Sequence, residues 1–377
     1  MERCGSDILR EQLGKGANPE VWVRFPRNLG DVVFALPFFG SLQREWNQVA
    51  AEAGTRLRWI VVGHARGAAL FSEARADLVT EYRLESGTQG KFGLRQLLRG
   101  WRERRPVAVI NLSQSVRLAL AAWLARVPIR AGDVNNHLGL LYHFKFTYRD
   151  LPVAIVERFR PLLVQLTGAD RLRWQPITPE RFGGLQGMAK LTAAGWTGGP
   201  YVALGFGTRG FPKRWFPEEE TWPALARLLQ GRGLGVVWLG GPDECELGRK
   251  LAAAVPGTFD LTGQTSIPEA CAIEYAAAGI IALDTGLVHT AAATGRPTVM
   301  INAGSPELLI HPLGPRVISL RGPFVDMEDN PRTDFATHGT SAHRISPERV
   351  MSVLEALMSE ERPEALASPL PAPPLSF

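Results

Sequence analysis

Short runs of apolar residues alternate with helical patterns along almost the whole chain. Several of these runs are apolar without interruption, as expected for parallel strands that helices cover on both faces. The alternation of strands and helices therefore predicts an α/β protein with parallel sheets. The predicted strands are Val21–Phe25, Arg58–Val62, Val107–Leu112, Ile129–Gly132, Tyr201–Gly205, Leu234–Leu239, Gly279–Leu283, Thr298–Asn302 and Arg316–Leu320.

Two series of strands and helices are separated by residues 172–200, which hold Pro176, Pro179 and two Gly-Gly pairs. Such residues are typical of a linker, and 377 residues are enough for two domains. We predict two Rossmann-like domains, residues 1–172 and 173–361, that face each other across a cleft. Sheets of this kind bind ligands beyond the carboxyl ends of their strands.

The end of the chain carries a further helix and a tail. Ser346 and Pro347 form a typical helix start, and the helix is predicted over residues 347–361. It is a candidate to pack back on the first domain. Residues 362–377 are rich in proline and are predicted to be disordered.

Charge is distributed unevenly along the chain. Residues 1–172 hold 25 basic and 16 acidic residues, a net charge of +9, whereas the remainder has a net charge of −4. A basic half is suited to an anionic partner such as nucleic acid, a membrane surface or a phosphorylated substrate. Solvated arginines on helix surfaces explain the same excess equally well.

Several classes of protein are excluded by simple patterns. The three cysteines are scattered, which predicts neither a disulfide framework nor a zinc site. No apolar run approaches the roughly 20 residues that span a bilayer, and the N-terminus has no signal-peptide core. We therefore expect a cytoplasmic protein.

Asp31 is the first candidate for chemistry. It follows the predicted strand Val21–Phe25 and a short loop with Gly30, where a helix begins. A carboxylate at such a turn can act as a general base toward a hydroxyl group. It can also stabilise the helix through the helix dipole, and the sequence leaves both roles open.

A glycine-rich loop follows the predicted strand Tyr201–Gly205. Gly207 and Gly210 leave backbone N–H groups exposed that can hold phosphate, and Lys213 adds a positive charge. The GxxxxGK[ST] pattern of a Walker loop is absent. A phosphate-binding role is predicted for this loop, with a merely solvent-exposed Lys213 as the alternative.

The segment Asp284-Thr285-Gly286 joins the predicted strand Gly279–Leu283 to an alanine-rich helix. The N–H groups of residues 285–287 lie at the helix start and form a ready anion site. His289, one turn further on, can reach the same anion. The alternative is a structural turn, in which Asp284 caps the helix and His289 packs in the core.

Glu244 follows the predicted strand Leu234–Leu239 and the pair Gly240-Gly241. Its carboxylate is suited to hydrogen bonds from ribose hydroxyls, although an exposed loop acid would look the same. The chain has no Asp-x-Asp pair that would hold a divalent cation. It also lacks the GxSxG and HExxH motifs of common hydrolases.

Four segments carry a family resemblance by their sequence and their order. They are LGDVVFALPFFGSL, INLSQSVRLAL, FGTRGFPKRWFPEE and LTGQTSIPEACAIEYAAAGIIALDTGLVHTAAATGRPTV. Together they resemble the ADP-heptose:lipopolysaccharide heptosyltransferases, glycosyltransferase family 9, and the last segment is the most specific. The chain departs from the family pattern at Asn111, which replaces the usual acid, and at Phe216, which is inserted before Pro217. The resemblance extends from Val21 to Val350.

The resemblance implies a GT-B fold and an inverting, metal-independent transfer of heptose from ADP-heptose to the inner core of lipopolysaccharide. No cofactor and no metal site are expected. Asp31 would be the general base, and Lys213 would stabilise the departing diphosphate. The implied donor-binding residues are Gly207, Thr208, Glu244, Asp284, Thr285, Gly286, Leu287 and His289. The candidate acceptor-binding residues are Arg117 and Arg130.

The expected partners are the nucleotide-sugar donor and the lipopolysaccharide core, and not nucleic acid. The basic first domain would allow peripheral association with the inner face of the inner membrane through charge. Two alternatives stay open: a GT-B transferase with another nucleotide sugar and glycan acceptor, and a degenerate relative that binds without turnover. A dehydrogenase is not favoured, because no GxGxxG motif opens the chain.

Overall fold

The computed structural model describes residues 3–84, 93–134, 139–147, 153–208, 213–215, 217–303, 305–321 and 345–359. The chain divides into two compact units after Gln175, close to the boundary expected from the sequence. We call them the N-terminal unit and the C-terminal unit. The proline-rich tail of residues 362–377, predicted to be disordered, lies outside the described residues.

The N-terminal unit is a parallel sheet with helices between its strands. Its strands are β1 (Asn18–Arg24), β2 (Arg58–Gly63), β3 (Glu81–Leu84), β4 (Pro106–Asn111), β5 (Ile129–Asp133) and β6 (Phe144–Phe146). Its helices are α1 (Gly5–Gly14), α2 (Leu29–Glu52), α3 (Leu94–Arg104), α4 (Val116–Leu124) and α5 (Arg160–Thr167). The strand order is β3-β2-β1-β4-β5-β6, so the order in which the chain adds its parallel strands reverses between β1 and β4.

The C-terminal unit repeats this plan. Its strands are β7 (Tyr201–Gly205), β8 (Gly235–Leu239), β9 (Phe259–Asp260), β10 (Gly279–Leu283), β11 (Thr298–Asn302) and β12 (Val317–Arg321). Its helices are α6 (Pro179–Phe182), α7 (Gln186–Ala193), α8 (Glu218–Gly231), α9 (Cys245–Ala254), α10 (Ile267–Ala276), α11 (Gly286–Ala293), α12 (Glu307–Ile310) and α13 (Pro347–Ser359). The strand order is β12-β11-β10-β7-β8-β9, and the reversal lies between β7 and β10.

The predicted fold class is confirmed, since both sheets have the Rossmann strand order and all their strand pairs are parallel. All nine predicted strands are present. The sequence analysis missed β3, β6 and β9, which are short strands of four, three and two residues. Their apolar content is too small to stand out from the neighbouring loops.

The stretch between residues 172 and 200 is not only a linker. Its second part forms α6 and α7, which both contact α10 in the C-terminal unit. A β-carbon on Gly187 would collide with the Glu269 carbonyl oxygen, and one on Gly184 would collide with the Pro268 carbonyl. Both glycines therefore permit close packing, although the pair Gly183-Gly184 in the sequence predicted a linker.

The position of α13 also differs from the expectation. The helix was a candidate to pack on the first domain, but Val350, Met351, Leu354 and Leu357 are buried in the core of the C-terminal unit. Leu354 lies so close to Gly279 that a β-carbon there would be 2.6 Å from its Cδ1 atom. The apolar face of α13 thus packs within the C-terminal unit, to which the helix belongs.

None of the helices in the described parts of the chain combines the length and the apolar character needed to cross a membrane.

Candidate active site

The functional candidates of the C-terminal unit lie at one edge of its sheet. Residues 206–208 follow β7, Glu244 follows β8, Asp284 follows β10 and Ser305 follows β11. These four strands are neighbours in a parallel sheet, so their carboxyl ends meet at the same edge. The reversal between β7 and β10 lies at the middle of this edge, which is where open α/β sheets bind ligands.

Asp284 is the centre of a polar cluster at this edge. The Lys213 ammonium donates a hydrogen bond to Oδ2 of Asp284 over 2.5 Å. Ser305 Oγ donates to the same oxygen, and His289 Nε2 lies 3.5 Å from Oδ1. Asp284 is 7% exposed, whereas the Lys213 side chain is 27% exposed. The carboxylate thus holds a partly exposed cation at the end of β10.

The environment of Asp284 keeps its carboxylate charged. Burial by itself raises the pKa of this group, but the His289 hydrogen bond and the Lys213 charge outweigh that effect. The pKa of Asp284 therefore lies well below its ordinary value. A charged Asp284 supplies the counter-charge that the Lys213 ammonium group needs when it is partly desolvated.

Helix α11 begins directly after this cluster. Thr285 is its N-cap in an extended conformation, and no side chain caps the helix start. The first N–H groups of a helix have no partner within the helix and carry positive partial charge. Thr285, Gly286 and Leu287 are only half-buried. The residues of the predicted anion site thus lie at the start of α11, next to Lys213 in its pairing with Asp284, and anion binding there stays a prediction.

His289 and Asp284 both fit the structural alternative in part. His289 is 5% exposed and packs in α11. Its ring faces Asp284, so the histidine orients the carboxylate that holds Lys213. A negative Asp284 would repel a phosphate that approached it directly, whereas it attracts the Lys213 ammonium group.

Glu244 and Gly207 form a second group at the same edge. The Glu244 carboxylate accepts a hydrogen bond from the Gly241 backbone N–H over 2.6 Å, and the acid is half-buried. A β-carbon on Gly207 would lie 2.5 Å from Cγ of Glu244. The sequence left open whether Glu244 is a mere exposed loop acid, and the structure instead packs its side chain against the glycine-rich loop.

The glycine-rich loop is described only in part. Thr208 is half-buried, and Lys213 and Asp284 make the contact given above. Gly210 and Phe216, which the sequence analysis singled out, lie outside the described residues.

Asp31 lies in the N-terminal unit, in the first turn of α2 and beyond the carboxyl end of β1. Its Oδ2 atom accepts a hydrogen bond from the Asn28 side chain over 3.1 Å, and the residue is half-buried. Gly67 packs against this turn, where a β-carbon would be 2.8 Å from Val32 and 3.0 Å from the Arg27 carbonyl oxygen. At this position the Asp31 carboxylate can interact with the dipole of α2, and it can equally act as a base at the edge of the sheet.

The two acceptor candidates differ in their surroundings. Arg117 is exposed on α4. The Arg130 guanidinium donates to the carbonyl oxygens of Leu141 and Val127, over 2.8 Å each, and burial lowers the pKa of this arginine. Arg130 therefore braces the loop after β5 through its Nε and Nη1 atoms.

Sequence reasoning missed Ser305, which donates to Asp284, and Asn302, which positions it. Asn302 Nδ2 donates to the Ser305 carbonyl over 3.0 Å, and Ser305 N–H donates to Asn302 Oδ1 over 2.8 Å. The available signal was a polar pair at the carboxyl end of the strand Thr298–Asn302. Its meaning depends on the fact that β11 and β10 are neighbours.

Glu274 was also missed. It lies on α10, is fully buried, and accepts a hydrogen bond from Thr290 Oγ of α11 over 3.2 Å. Burial raises the pKa of Glu274 well above its ordinary value. The Glu274 carboxyl group thus joins α10 to α11.

Across the described ranges, no group of three or more histidine, cysteine, aspartate or glutamate residues is arranged to hold a metal ion.

Known proteins resemble this chain over most of its length. A family model described as Glycosyltransferase family 9 (heptosyltransferase) matches residues 94–338. Among curated proteins, the chain is 27% identical over 283 residues to lipopolysaccharide heptosyltransferase 2 of Salmonella typhimurium. That match covers 71% of this chain and 80% of the relative.

Solved structures share the fold. The E. coli ADP-heptose lps heptosyltransferase II matches with a TM-score of 0.72 at 23% identity, over 90% of this chain and 98% of that one. The E. coli heptosyltransferase WaaC with ADP matches with a TM-score of 0.63 at 20% identity, over 90% and 99% of the two chains.

Proposed function

Because the chain belongs to glycosyltransferase family 9, the heptosyltransferases, we propose that it moves a heptose from ADP-heptose to the inner core of lipopolysaccharide. The single observation that carries this proposal is the cluster of Lys213, Asp284 and the α11 start at the sheet edge. It offers a cation and free helix N–H groups to a diphosphate. The named relatives act in lipopolysaccharide synthesis, which supports the choice of acceptor.

We propose that the donor is held by the C-terminal unit. The N–H groups of Thr285, Gly286 and Leu287 would bind the diphosphate oxygens, and Lys213 would contact them after partial release from Asp284. Glu244 would accept hydrogen bonds from the ribose hydroxyls. The close approach of Gly207 to Glu244 keeps side-chain atoms out of this region, and Thr208 would line it.

Asp31 would act as the general base of the reaction. Its carboxylate would take the proton of an acceptor hydroxyl while that oxygen forms a bond to the anomeric carbon. The bond from the anomeric carbon to the diphosphate oxygen breaks in the same step, and its electron pair leaves with ADP. A single displacement from the side opposite the leaving group inverts the configuration at the anomeric carbon.

The leaving group needs positive potential that becomes useful as its negative charge develops. Lys213 and the start of α11 can supply that potential without a divalent cation, so we propose metal-independent transfer. The acceptor core carries negative groups, and the exposed Arg117 is a candidate contact for them. Peripheral association with an anionic membrane surface would bring the protein to its acceptor.

Binding of ADP, UDP, GDP and CDP, measured by calorimetry in the presence of a chelator, tests the donor. ADP should be preferred, and Lys213→Ala should weaken its binding about tenfold or more. Lys250→Ala, which removes an exposed lysine of the same unit, should leave binding unchanged. Preference for another nucleotide would contradict ADP-heptose as the donor.

Transfer assays with ADP-heptose and a lipopolysaccharide core acceptor test the base. Asp31→Asn should lower kcat about 10²–10⁴-fold and leave ADP affinity as in the unmodified protein. Glu45→Gln, a change of another half-buried acid on α2, is the matched control. An equal loss of kcat in both variants, or full activity in Asp31→Asn, would rule out Asp31 as the general base. If the unmodified chain binds ADP but transfers no heptose, the protein is instead a degenerate relative.

A further inference from the structure

Five arginines on and beside α3 and α4 have no ion-pair partner within the described ranges. They are Arg95, Arg102, Arg105, Arg117 and Arg126, and all five are exposed. Between residues 93 and 132 the only acid is Glu103, which is occupied by Arg99 at 3.0 Å. This part of the N-terminal unit therefore carries positive charge that no neighbouring carboxylate offsets.

Helices α3 and α4 lie side by side on one face of the sheet. Leu97 and Trp101 of α3 share a buried cluster with Leu118 and Ala122 of α4. That cluster also contains Val109 of β4, so the inner sides of both helices face the sheet. The exposed residues of the two helices consequently form one outer surface.

Large apolar side chains are exposed on the same surface. Val116 and Trp123 of α4 are 48% and 45% exposed, and Leu140, in a turn that contacts α4, is 91% exposed. Trp123 is the only exposed tryptophan of ten. Val116 and Trp123 are seven positions apart and so lie on the same side of α4. Exposed apolar residues among unpaired arginines are typical of surfaces that meet lipid.

Two of the arginines occupy backbone positions that favour glycine. Arg105 has φ 49° and Arg126 has φ 56°, and no other non-glycine residue among the described ones has a positive φ. Arg105 is the residue at which α3 ends, where glycine is the common choice. Arginine is less stable than glycine in this conformation. Fold stability therefore does not account for arginine at these two positions.

We propose that this α3–α4 surface, formed by the five arginines with Val116, Trp123 and Leu140, docks the protein on an anionic lipid bilayer. The arginines lie at the level of the lipid headgroups, and the three apolar side chains enter the boundary with the acyl chains. The inference rests on the proposed function, because a lipid-borne acceptor requires the protein to work at a membrane surface.

The physical basis is a combination of two weak attractions. Each arginine near an anionic surface contributes about fivefold in partition, and the effect fades within about 10 Å at moderate salt. The apolar side chains add an area term that does not depend on salt. Binding should therefore require anionic lipid and weaken at high salt.

Sedimentation of the full chain with vesicles tests the proposal. The chain should bind vesicles of phosphatidylcholine with phosphatidylglycerol and leave vesicles of phosphatidylcholine alone. Lipids brominated on their acyl chains should quench part of the tryptophan fluorescence, and Trp123→Phe should remove that quenching. A chain that ignores the anionic vesicles overturns the proposal, and so does quenching that survives in Trp123→Phe.

The double variant R105G/R126G separates docking from folding. It should lower partition about 25-fold, at about fivefold per arginine, while Tm stays the same or rises because glycine suits both positions. The matched control is R44S/R56S, which removes two exposed arginines elsewhere in the N-terminal unit and should reduce partition far less. Equal losses in the two double variants would show a general charge effect and overturn the proposal.

Two further outcomes are informative. Binding to a single-stranded oligonucleotide with the same dependence on Arg105 and Arg126, and no binding to vesicles, would assign this surface to nucleic acid and overturn the proposal. ADP binding is measured in the same variants and should be unaffected. If the protein binds anionic vesicles but shows no preference for ADP, the proposed function is overturned and the docking proposal is not.

Discussion

Lys213 Nζ lies 2.5 Å from Oδ2 of Asp284, and this pair places a cation beside the start of α11. Lys213 precedes α8 and Asp284 follows β10, so the contact joins two loops that are distant in sequence. Ser305 donates to the same aspartate oxygen. Three loops thus meet at the Asp284 carboxylate. Removal of this carboxylate should affect the stability of the fold as well as catalysis.

Asp284→Asn should destabilise the fold by about 2–4 kcal/mol at neutral pH, because it leaves Lys213 partly buried without its counter-charge. The pKa of Asp284 is lowered in the folded state, so its contribution is present above its ordinary pKa of 3.8 and is lost as the pH falls through the folded value. The stability gap between the two proteins should therefore narrow below about pH 4. Urea unfolding at several pH values measures it.

Asp243→Asn, a change of an exposed acid in the loop after β8, is the control for that series. It should leave the free energy of unfolding unchanged across the range. A gap for Asp284→Asn that stays constant down to pH 3 would contradict the role given to the carboxylate.

Glu274→Gln should be increasingly more stable than the unmodified protein as the pH rises above 4.5. The pKa of Glu274 is raised in the folded state from an ordinary value of 4.5, so the unfolded chain releases the proton first and stability falls with pH. Glutamine cannot titrate and still accepts the hydrogen bond from Thr290. The difference should grow by about 1.4 kcal/mol per pH unit until the folded pKa is reached.

Thermal or urea unfolding between pH 4 and pH 8 tests this, with Glu246→Gln on the exposed side of α9 as the control. Glu274→Ala should instead be less stable at every pH, because it leaves a cavity and removes the acceptor of Thr290. A pH-independent difference for Glu274→Gln would mean that Glu274 is charged in the folded protein.

Gly207→Ala should weaken ADP binding about tenfold, because the new β-carbon would meet Cγ of Glu244 at 2.5 Å and displace the acid or the loop. Gly231→Ala at the end of α8 meets no atom within 4 Å and serves as the control. Calorimetry on both variants measures the effect. Unchanged affinity in Gly207→Ala would separate this loop from the nucleotide site.

Cys271 should resist alkylation in the native protein. It is fully buried, and burial raises the pKa of its thiol, so little reactive thiolate forms. Cys4 and Cys245 are partly exposed and should react first. Mass spectrometry after iodoacetamide treatment, with and without urea, counts the modified thiols; labelling of Cys271 before unfolding would contradict the packing of α10 against α11.

Local patterns predicted the secondary structure that carries the site. The apolar runs Tyr201–Gly205 and Gly279–Leu283 are strands with the predicted bounds, because uninterrupted burial leaves a clear mark on short segments. The family resemblance seen in the segment around Asp284 is confirmed by the family match over residues 94–338. That likeness could be recognised without a structure, since it depends on the order of residues along the chain.

Local patterns failed where a residue's role depends on a distant partner. Gly184 belongs to a Gly-Gly pair that predicted a linker, yet it makes room for the Pro268 carbonyl of α10. The sequence does not show which unit the apolar face of α13 packs against. The helix is buried in the C-terminal unit, where Leu354 fits over Gly279.

The amino-acid sequence by itself determined the two Rossmann-like units and the loops that bear the candidate groups, because periodicity and turn residues act over a few positions. Only the tertiary structure decided that Lys213, His289 and Ser305 share the Asp284 carboxylate, that Arg130 is bound to backbone carbonyls, and that burial raises the pKa of Glu274. The strand order brings loops that are distant in sequence to one edge of the sheet, and burial sets the free energy needed to keep a group charged there. Both depend on contacts between residues that are far apart in the linear sequence.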